Sequence, residues 1–243
     1  MPVFYLTDKI LFPPVHYAEP NGVLAVGGDL SPERLLEAYK RGIFPWFSDD
    51  SPIIWWSPDP RYVVYPAEVK ISRSMRQVMG RGTFRITYDT VFSDVVEECS
   101  KPRKHEQGTW ITSGMTEAYT VLHEMGYAHS IEAWKGDVLA GGLYGVSLGG
   151  VFFGESMFSR ESNASKAAFI NLAVNLRNLG FDIIDCQVYT AHLESLGAFE
   201  MPRPEFIGIL EDSLSRETIQ GNWGEIDIFS SVIEPEDLKA PGC

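Results

Sequence analysis

Three polar residues stand where strand ends would present them to a ligand. Glu155 lies in Gly150-Val-Phe-Phe-Gly-Glu-Ser-Met-Phe-Ser159, whose β-branched and aromatic content predicts a strand. Asp185 and Gln187 close a second such stretch that begins at Phe181. Strand side chains alternate with a period of two, so Asp185 and Gln187 are expected on one face and Cys186 on the other. Polar groups at a strand's C-terminal end in a strand–helix–strand unit commonly face a ligand crevice. Glu155, Asp185 and Gln187 are therefore the first candidates for chemistry. The purely structural use of Asp185 would be a strand-end cap or half of a buried ion pair. A cysteine hydrolase built on Cys186 with His129 or His192 is disfavoured, because strand parity turns the thiol into the core.

Between the two strands the sequence predicts a helix. Ser162-Asn163 offers short polar side chains to a first turn. Ala168, Phe169, Leu172, Ala173, Leu176 and Leu179 then recur with helical period, and Gly180 stops the run. Upstream, a helix is expected over 116–125, strands over 128–135 and 138–147, and a hairpin turn at Gly136-Asp137. Helix, three antiparallel strands, helix, strand is the order of the acyl-CoA N-acetyltransferase-like (GNAT-like) fold, so an α+β architecture is expected. The loop Phe158 to Lys166 lacks the Gln/Arg-x-x-Gly-x-Gly/Ala pattern that cradles pyrophosphate in those enzymes. That points to a donor other than coenzyme A. An acetyl-CoA-dependent N-acetyltransferase remains the alternative.

Earlier, residues 1–30 read as loop-rich, and Ser31-Pro32-Glu33 opens a helix that Gly42 ends. Residues 42–61 are too rich in tryptophan and proline for a helix. Such a stretch forms either a small local core or a stacking platform for a nucleobase. A short strand over 62–65 closes a small N-terminal α/β domain, 1–64, and 65–243 forms the GNAT-like catalytic domain. Short helices are expected over 72–79, 91–99, 190–196 and 203–214, and a loose acidic tail from Gly221.

A net charge of −13 argues against general affinity for nucleic acid. The segment from Lys70 to His105 is nevertheless net positive, and its Arg73, Arg76, Arg81, Lys101, Arg103 and Lys104 could hold a phosphate backbone. An odd set of cysteines, Cys99, Cys186 and Cys243, with no metal spacing indicates a reducing compartment. The N-terminus lacks a basic start followed by an apolar run, and no uncharged stretch reaches the ~20 residues of a membrane helix. The expectation is a cytoplasmic protein with no membrane partner, no metal and no cofactor.

The segments PNGVLAVGGDLSPERLLEAYKRGIFPWF, WWSPDPR, ISRSM, EQGTWIT, AHSIEAW, GGLYGV, FFGESMFSRESNASKAA and IDCQV…HLESLGA run in order between residues 19 and 204. In them the chain resembles the leucyl/phenylalanyl-tRNA–protein transferase family. The resemblance implies transfer of Leu, and also Phe or Met, from aminoacyl-tRNA to proteins that begin with Arg or Lys. The product carries a new peptide bond and is marked for degradation through the N-end rule. It also implies that Asp185 orients Gln187, whose side-chain oxygen meets the attacking amine, and that Glu155 helps position the same site. The donor side chain would enter a pocket of Leu143, Phe152, Phe169 and Leu172. Trp46 and Trp110 would stack on the terminal adenosine of the tRNA. A monomer is expected.

Overall fold

The structure, a computed structural model, describes residues 3–101, 111–230 and 238. Its elements in chain order are β1 (Phe4–Leu6), β2 (Val23–Gly27), α1 (Pro32–Lys40), β3 (Phe44–Pro45), β4 (Ile54–Trp56), β5 (Arg61–Val64), α2 (Arg73–Gly80), β6 (Arg85–Tyr88) and α3 (Phe92–Ser100). There follow α4 (Ser113–Glu124), β7 (Ala128–Lys135), β8 (Val138–Leu148), β9 (Val151–Ser159), α5 (Ala164–Asn178), β10 (Ile183–Gln187), α6 (Ala191–Glu194), β11 (Phe199–Met201), α7 (Arg203–Ser213) and α8 (Asp227–Ser230).

Helix starts follow local chemistry. The Ser72, Thr112 and Thr190 hydroxyls accept the N–H groups of Met75, Met115 and Leu193, satisfying first-turn donors that would otherwise be orphaned. Asn163 precedes α5 differently from the side-chain cap expected of it. Its φ is 72° and its side chain makes no cap bond, so it serves as a left-handed turn residue, a role asparagine tolerates. Nor is α5 amphipathic. It is buried almost all round, because α2 packs on the side away from the sheet.

The strands form an α+β arrangement of two sheets, a four-stranded one in the order β1-β2-β4-β3 and a seven-stranded one in the order β11-β5-β10-β9-β8-β7-β6. The N-terminal segment read as loop therefore holds two strands, and the tryptophan-rich stretch holds two more. These pieces are too short to show alternation. The large sheet reaches back to Arg61–Val64, the last residues of the expected N-terminal unit. One apolar cluster joins the small sheet, α1, α3 and α4 to one face of the large sheet, and a second packs α5 on the other face.

The tail is not loose where it is described. Trp223 is fully buried, stacks on His129 at 3.8 Å and on Phe229 at 4.4 Å, and donates its backbone N–H to Asp89 at 2.8 Å. One buried indole outweighs the acidic composition that suggested otherwise. Among the described residues no helix is long and apolar enough to cross a membrane.

Candidate active site

The site is built where β9 and β10 part. Their parallel ladder runs Ile183↔Val151, Ile184↔Phe152, Asp185↔Phe153 and stops there. Beyond that point each strand is irregular. On β9, Gly145 pairs Gly154 while Tyr144 pairs Ser156, so Glu155 is the extra residue of a bulge. On β10 the register slips between Asp185 and Gln187, and Gln187 takes φ 65°. Period-two parity thus does not carry through to Gln187. A non-glycine residue in the left-handed region is strained unless its surroundings hold it. Gln187 is held twice, by its backbone N–H to Asp185 Oδ1 at 2.9 Å and by its side-chain Nε2 to Glu155 Oε1 at 2.8 Å.

Glu155 is the hub. Tyr39 of α1 donates to Oε1 at 2.7 Å and Tyr119 of α4 donates to Oε2 at 2.8 Å. The two phenol oxygens also contact each other. The Glu155 carboxyl is pushed up to about 7, first by burial and then by the nearby charge of Asp185, against the pull of its tyrosine and glutamine donors. Burial and the Glu155 charge likewise push the Tyr39 and Tyr119 phenols upward. Tyr144 adds a buried hydroxyl with no hydrogen-bond partner among the described residues.

This raised carboxyl has a stability consequence. The unfolded chain ionises Glu155 near its ordinary 4.5, whereas the folded chain keeps the proton to about 7. The folded state therefore binds more protons across that window, and stability should fall as pH rises from about 4.5 to about 7, then level off. Glu132, buried on β7 beside Ser130 and Thr87, is also pushed up to about 7 by burial and adds to the slope. Urea unfolding at pH 5 and pH 8 should show a loss of about 3 kcal/mol per group at most. Glu155→Gln should flatten the dependence by its own share; an unchanged slope would mean that Glu155 is ionised throughout.

Asp185 is engaged elsewhere than its expected role requires. Its carboxylate meets Arg61 of β5 in a two-point pair, Nε to Oδ1 at 2.8 Å and Nη2 to Oδ2 at 2.7 Å. Both side chains are buried, and the guanidinium lies between the Phe44 ring at 4.7 Å and the Phe206 ring at 4.9 Å. Arg61 also donates to the Gly42 carbonyl at 3.2 Å. Asp185 touches Gln187 only at its backbone N–H, while the Gln187 side chain is aimed by Glu155.

The remaining expected residues fall as follows. Leu143, Phe152, Phe169 and Leu172 lie in one buried apolar cluster on the α5 face, together with Cys186. Burial pushes the Cys186 thiol up, which suits a core residue. Trp46 is 41 % exposed; Trp56 stands 5.4 Å from its ring and donates Nε1 to its carbonyl at 2.7 Å. Arg73, Arg76 and Arg81 are exposed on and just after α2, and Arg76 Nε also donates to the Leu238 carbonyl at 3.0 Å. Lys101 is exposed and paired with Glu97 and Glu98. Trp110, Arg103 and Lys104 lie outside the described residues. A cavity of about 540 Å³ opens beside β6, lined by Val78, Phe84, Tyr88, Asn171 and Phe229 among others; none of the expected site residues lines it. No cluster of metal-ligating side chains occurs among the described residues. Sequence reasoning missed Arg61, Tyr39 and Tyr119. Arg61 stands inside the quoted WWSPDPR segment, but nothing local to any of the three signals a partner so distant in the chain.

With that geometry in place, comparison with known proteins gives a consistent result. Residues 63–211 match the family model described as leucyl/phenylalanyl-tRNA protein transferase, and residues 28–59 match the model of that family's N-terminal domain. A leucyl/phenylalanyl-tRNA–protein transferase of Syntrophus aciditrophicus is 57% identical over 92% of this chain and 94% of its own. One of Nitrosospira multiformis is 58% identical over 83% of this chain and 88% of its own. Among solved structures, L-PGS from Bacillus licheniformis is 13% identical, with a TM-score of 0.39 over 69% of this chain and 54% of that one. A likeness that low carries no functional meaning.

Proposed function

The chain belongs to the leucyl/phenylalanyl-tRNA protein transferase family, and from that premise we propose how its residues carry an aminoacyl group from tRNA to a protein's α-amine. The donors are Leu, Phe and Met; the acceptors begin with Arg or Lys. The observation that carries this reading is the fixed amide of Gln187. With Nε2 committed to Glu155, the side-chain oxygen is left to accept an N–H from the attacking amine. The amine attacks the ester carbonyl, the C–O bond to the terminal ribose breaks, and the amine's surplus proton ends on the ribose oxygen. Gln187 orients the nucleophile for this exchange; Glu155 aims Gln187, and Asp185 secures its backbone. Holding amine and ester in line supplies much of the rate.

Around that centre, Leu143, Phe152, Phe169 and Leu172 take the donor side chain. Trp46, propped by Trp56, offers a face to the terminal adenosine, with Trp110 as its partner. Arg73, Arg76, Arg81, Lys101, Arg103 and Lys104 hold the tRNA backbone. The order α4, β7, β8, β9, α5, β10 supports a GNAT-like reading of the catalytic unit, with the small N-terminal unit lending Trp46 and Tyr39 to the site. Cys99 and Cys186, in no disulfide with each other, suit a reducing cytoplasm, where the protein acts as a monomer.

The test is direct. The protein is incubated with an Arg-starting peptide and either Leu-tRNA, Ile-tRNA or acetyl-CoA. Transfer is expected from Leu-tRNA only. Ile-tRNA should be at least about tenfold poorer, because branching at the first side-chain carbon crowds the pocket mouth. Acetylation of the peptide, or equal rates for Ile and Leu, would overturn the donor assignment.

A further inference from the structure

We propose that Tyr39 and Tyr119 are positioning residues for the transfer, each donating a hydrogen bond that keeps Glu155 a pure acceptor and so keeps the Gln187 oxygen turned to the amine. This rests on the role given to Gln187 under Proposed function and deepens it. Tyr39 reaches Glu155 Oε1 from α1 at 2.7 Å, and Tyr119 reaches Oε2 from α4 at 2.8 Å. Gln187 Nε2 shares Oε1 with Tyr39 at 2.8 Å. Each carboxylate oxygen therefore holds a phenol, and Oε1 also holds the amide. Glu155 is the extra residue of its bulge and has no paired residue across the ladder, which leaves its side-chain partners to fix it. Both phenols are fully buried and Glu155 is buried with them, so bulk water does not share these bonds.

The Gln187 amide has two ends of nearly equal shape, and its neighbour decides which end faces where. An ionised carboxylate only accepts, so it binds Nε2 and leaves the oxygen to the amine. A protonated carboxyl also carries an O–H donor. Given to the Gln187 oxygen, that proton takes the acceptor away from the amine. Hydrogen bonds made to the charged form of a carboxyl favour that form, so the two phenols oppose this change. They remain donors throughout, because burial and the Glu155 charge push both phenols upward.

The other ionisable groups around Glu155 set the opposing pull. Asp185 on β10 raises its carboxyl, although Arg61 of β5 meets that charge. Tyr144 on β8 is buried close by, and its phenol is pushed up by burial, then by the Glu155 charge and by Cys99 of α3. The Tyr144 hydroxyl has no hydrogen-bond partner among the described residues, so it stands near Glu155 without donating to it. The three phenols thus divide into two that hold the carboxylate and one that does not. With burial leading, the Glu155 carboxyl is pushed up to about 7, which puts its proton uptake inside the working range. Losing one phenol donor pushes it higher still.

The experiment uses the full chain and measures single-turnover transfer from saturating Leu-tRNA to an Arg-starting peptide, from about pH 5.5 to about pH 9. The peptide's amine must itself lose a proton, and that demand is the same in every variant. In Tyr39→Phe and in Tyr119→Phe the acid limb of the rate profile should move up by about one pH unit. Each variant should then be about five- to tenfold slower than wild type at about pH 6 to 7, and within about threefold of it at about pH 9. Tyr144→Phe is the control. It removes a hydroxyl with no described partner, and its profile should overlay the wild type. A role in packing alone would slow Tyr39→Phe or Tyr119→Phe equally at every pH. That result in either folded variant, an unmoved limb, or a limb moved as far by Tyr144→Phe overturns the inference. Should one variant not fold, the other decides, since the phenols hold different oxygens. Gln187→Ala in the same assay separates the two readings. A near-normal rate there overturns the role of Gln187 itself, whereas a slow Gln187→Ala beside unmoved limbs overturns this inference alone.

Discussion

Gln187→Ala is expected to lower single-turnover transfer to an Arg-starting peptide by about 10²- to 10³-fold, within the range of groups that assist proton movement in a transition state. The expectation follows from the wiring of the side chain. Its amide N–H is tied to Glu155, which leaves the oxygen as the acceptor it can offer to the amine on the reading proposed above. Affinity for Leu-tRNA should stay within twofold, because the adenosine and the donor side chain are held elsewhere. Two controls separate chemistry from folding. Gln187 sits at φ 65°, where glycine is relaxed, so Gln187→Gly should be as inactive as Gln187→Ala but more stable. Glu155→Ala removes the group that aims the amide. The double variant should therefore be little slower than the poorer single, since groups that act as a unit are not additive. If Gln187→Ala retains a third of the wild-type rate with saturating Leu-tRNA, catalysis is by positioning alone and the amide is a bystander.

Asp185→Asn should destabilise the fold by about 3–5 kcal/mol, the usual loss when one partner of a buried ion pair is removed and the other charge is left uncompensated. Arg61 is that other charge. It is 1 % exposed and enclosed by Phe44 and Phe206, so it cannot reach water. Arg61→Met should do similar damage by stranding Asp185. The pair Arg61→Met/Asp185→Leu should recover much of the loss, because it strands nothing. Urea unfolding measures all three. A loss below about 1 kcal/mol for Asp185→Asn would refute a structural role and restore the idea that its charge serves catalysis directly. The same series tells the two roles apart kinetically. On the structural reading, the activity of Asp185→Asn should return in proportion to the folded fraction as the temperature is lowered.

Much of this site was legible from residue types alone. Glu155 fell within a strand and Asp185 and Gln187 at a strand's end because strand composition and period are local properties. The helix between them announced itself by apolar spacing and by Gly180. Cys186 is buried in the α5-face cluster as expected, although it is the residue at which the register of β10 against β5 slips. The family segments then tied these pieces to aminoacyl transfer. Parity failed at Gln187, because a register slip depends on how the neighbouring strand pairs.

The sequence by itself determined the α+β class and the family, since each rests on patterns contiguous in the chain. Only the tertiary structure decided who partners whom. Arg61 is 124 residues from Asp185, Tyr39 is 116 from Glu155, and Tyr119 is 36 from it. No local spacing records such contacts; they exist because the small sheet and α1 pack on the face of the large sheet from which Asp185 and Glu155 project. That packing sets the contacts: Asp185 pairs with a buried arginine, and Glu155, whose carboxyl is pushed up to about 7 by its burial, accepts the Gln187 amide N–H.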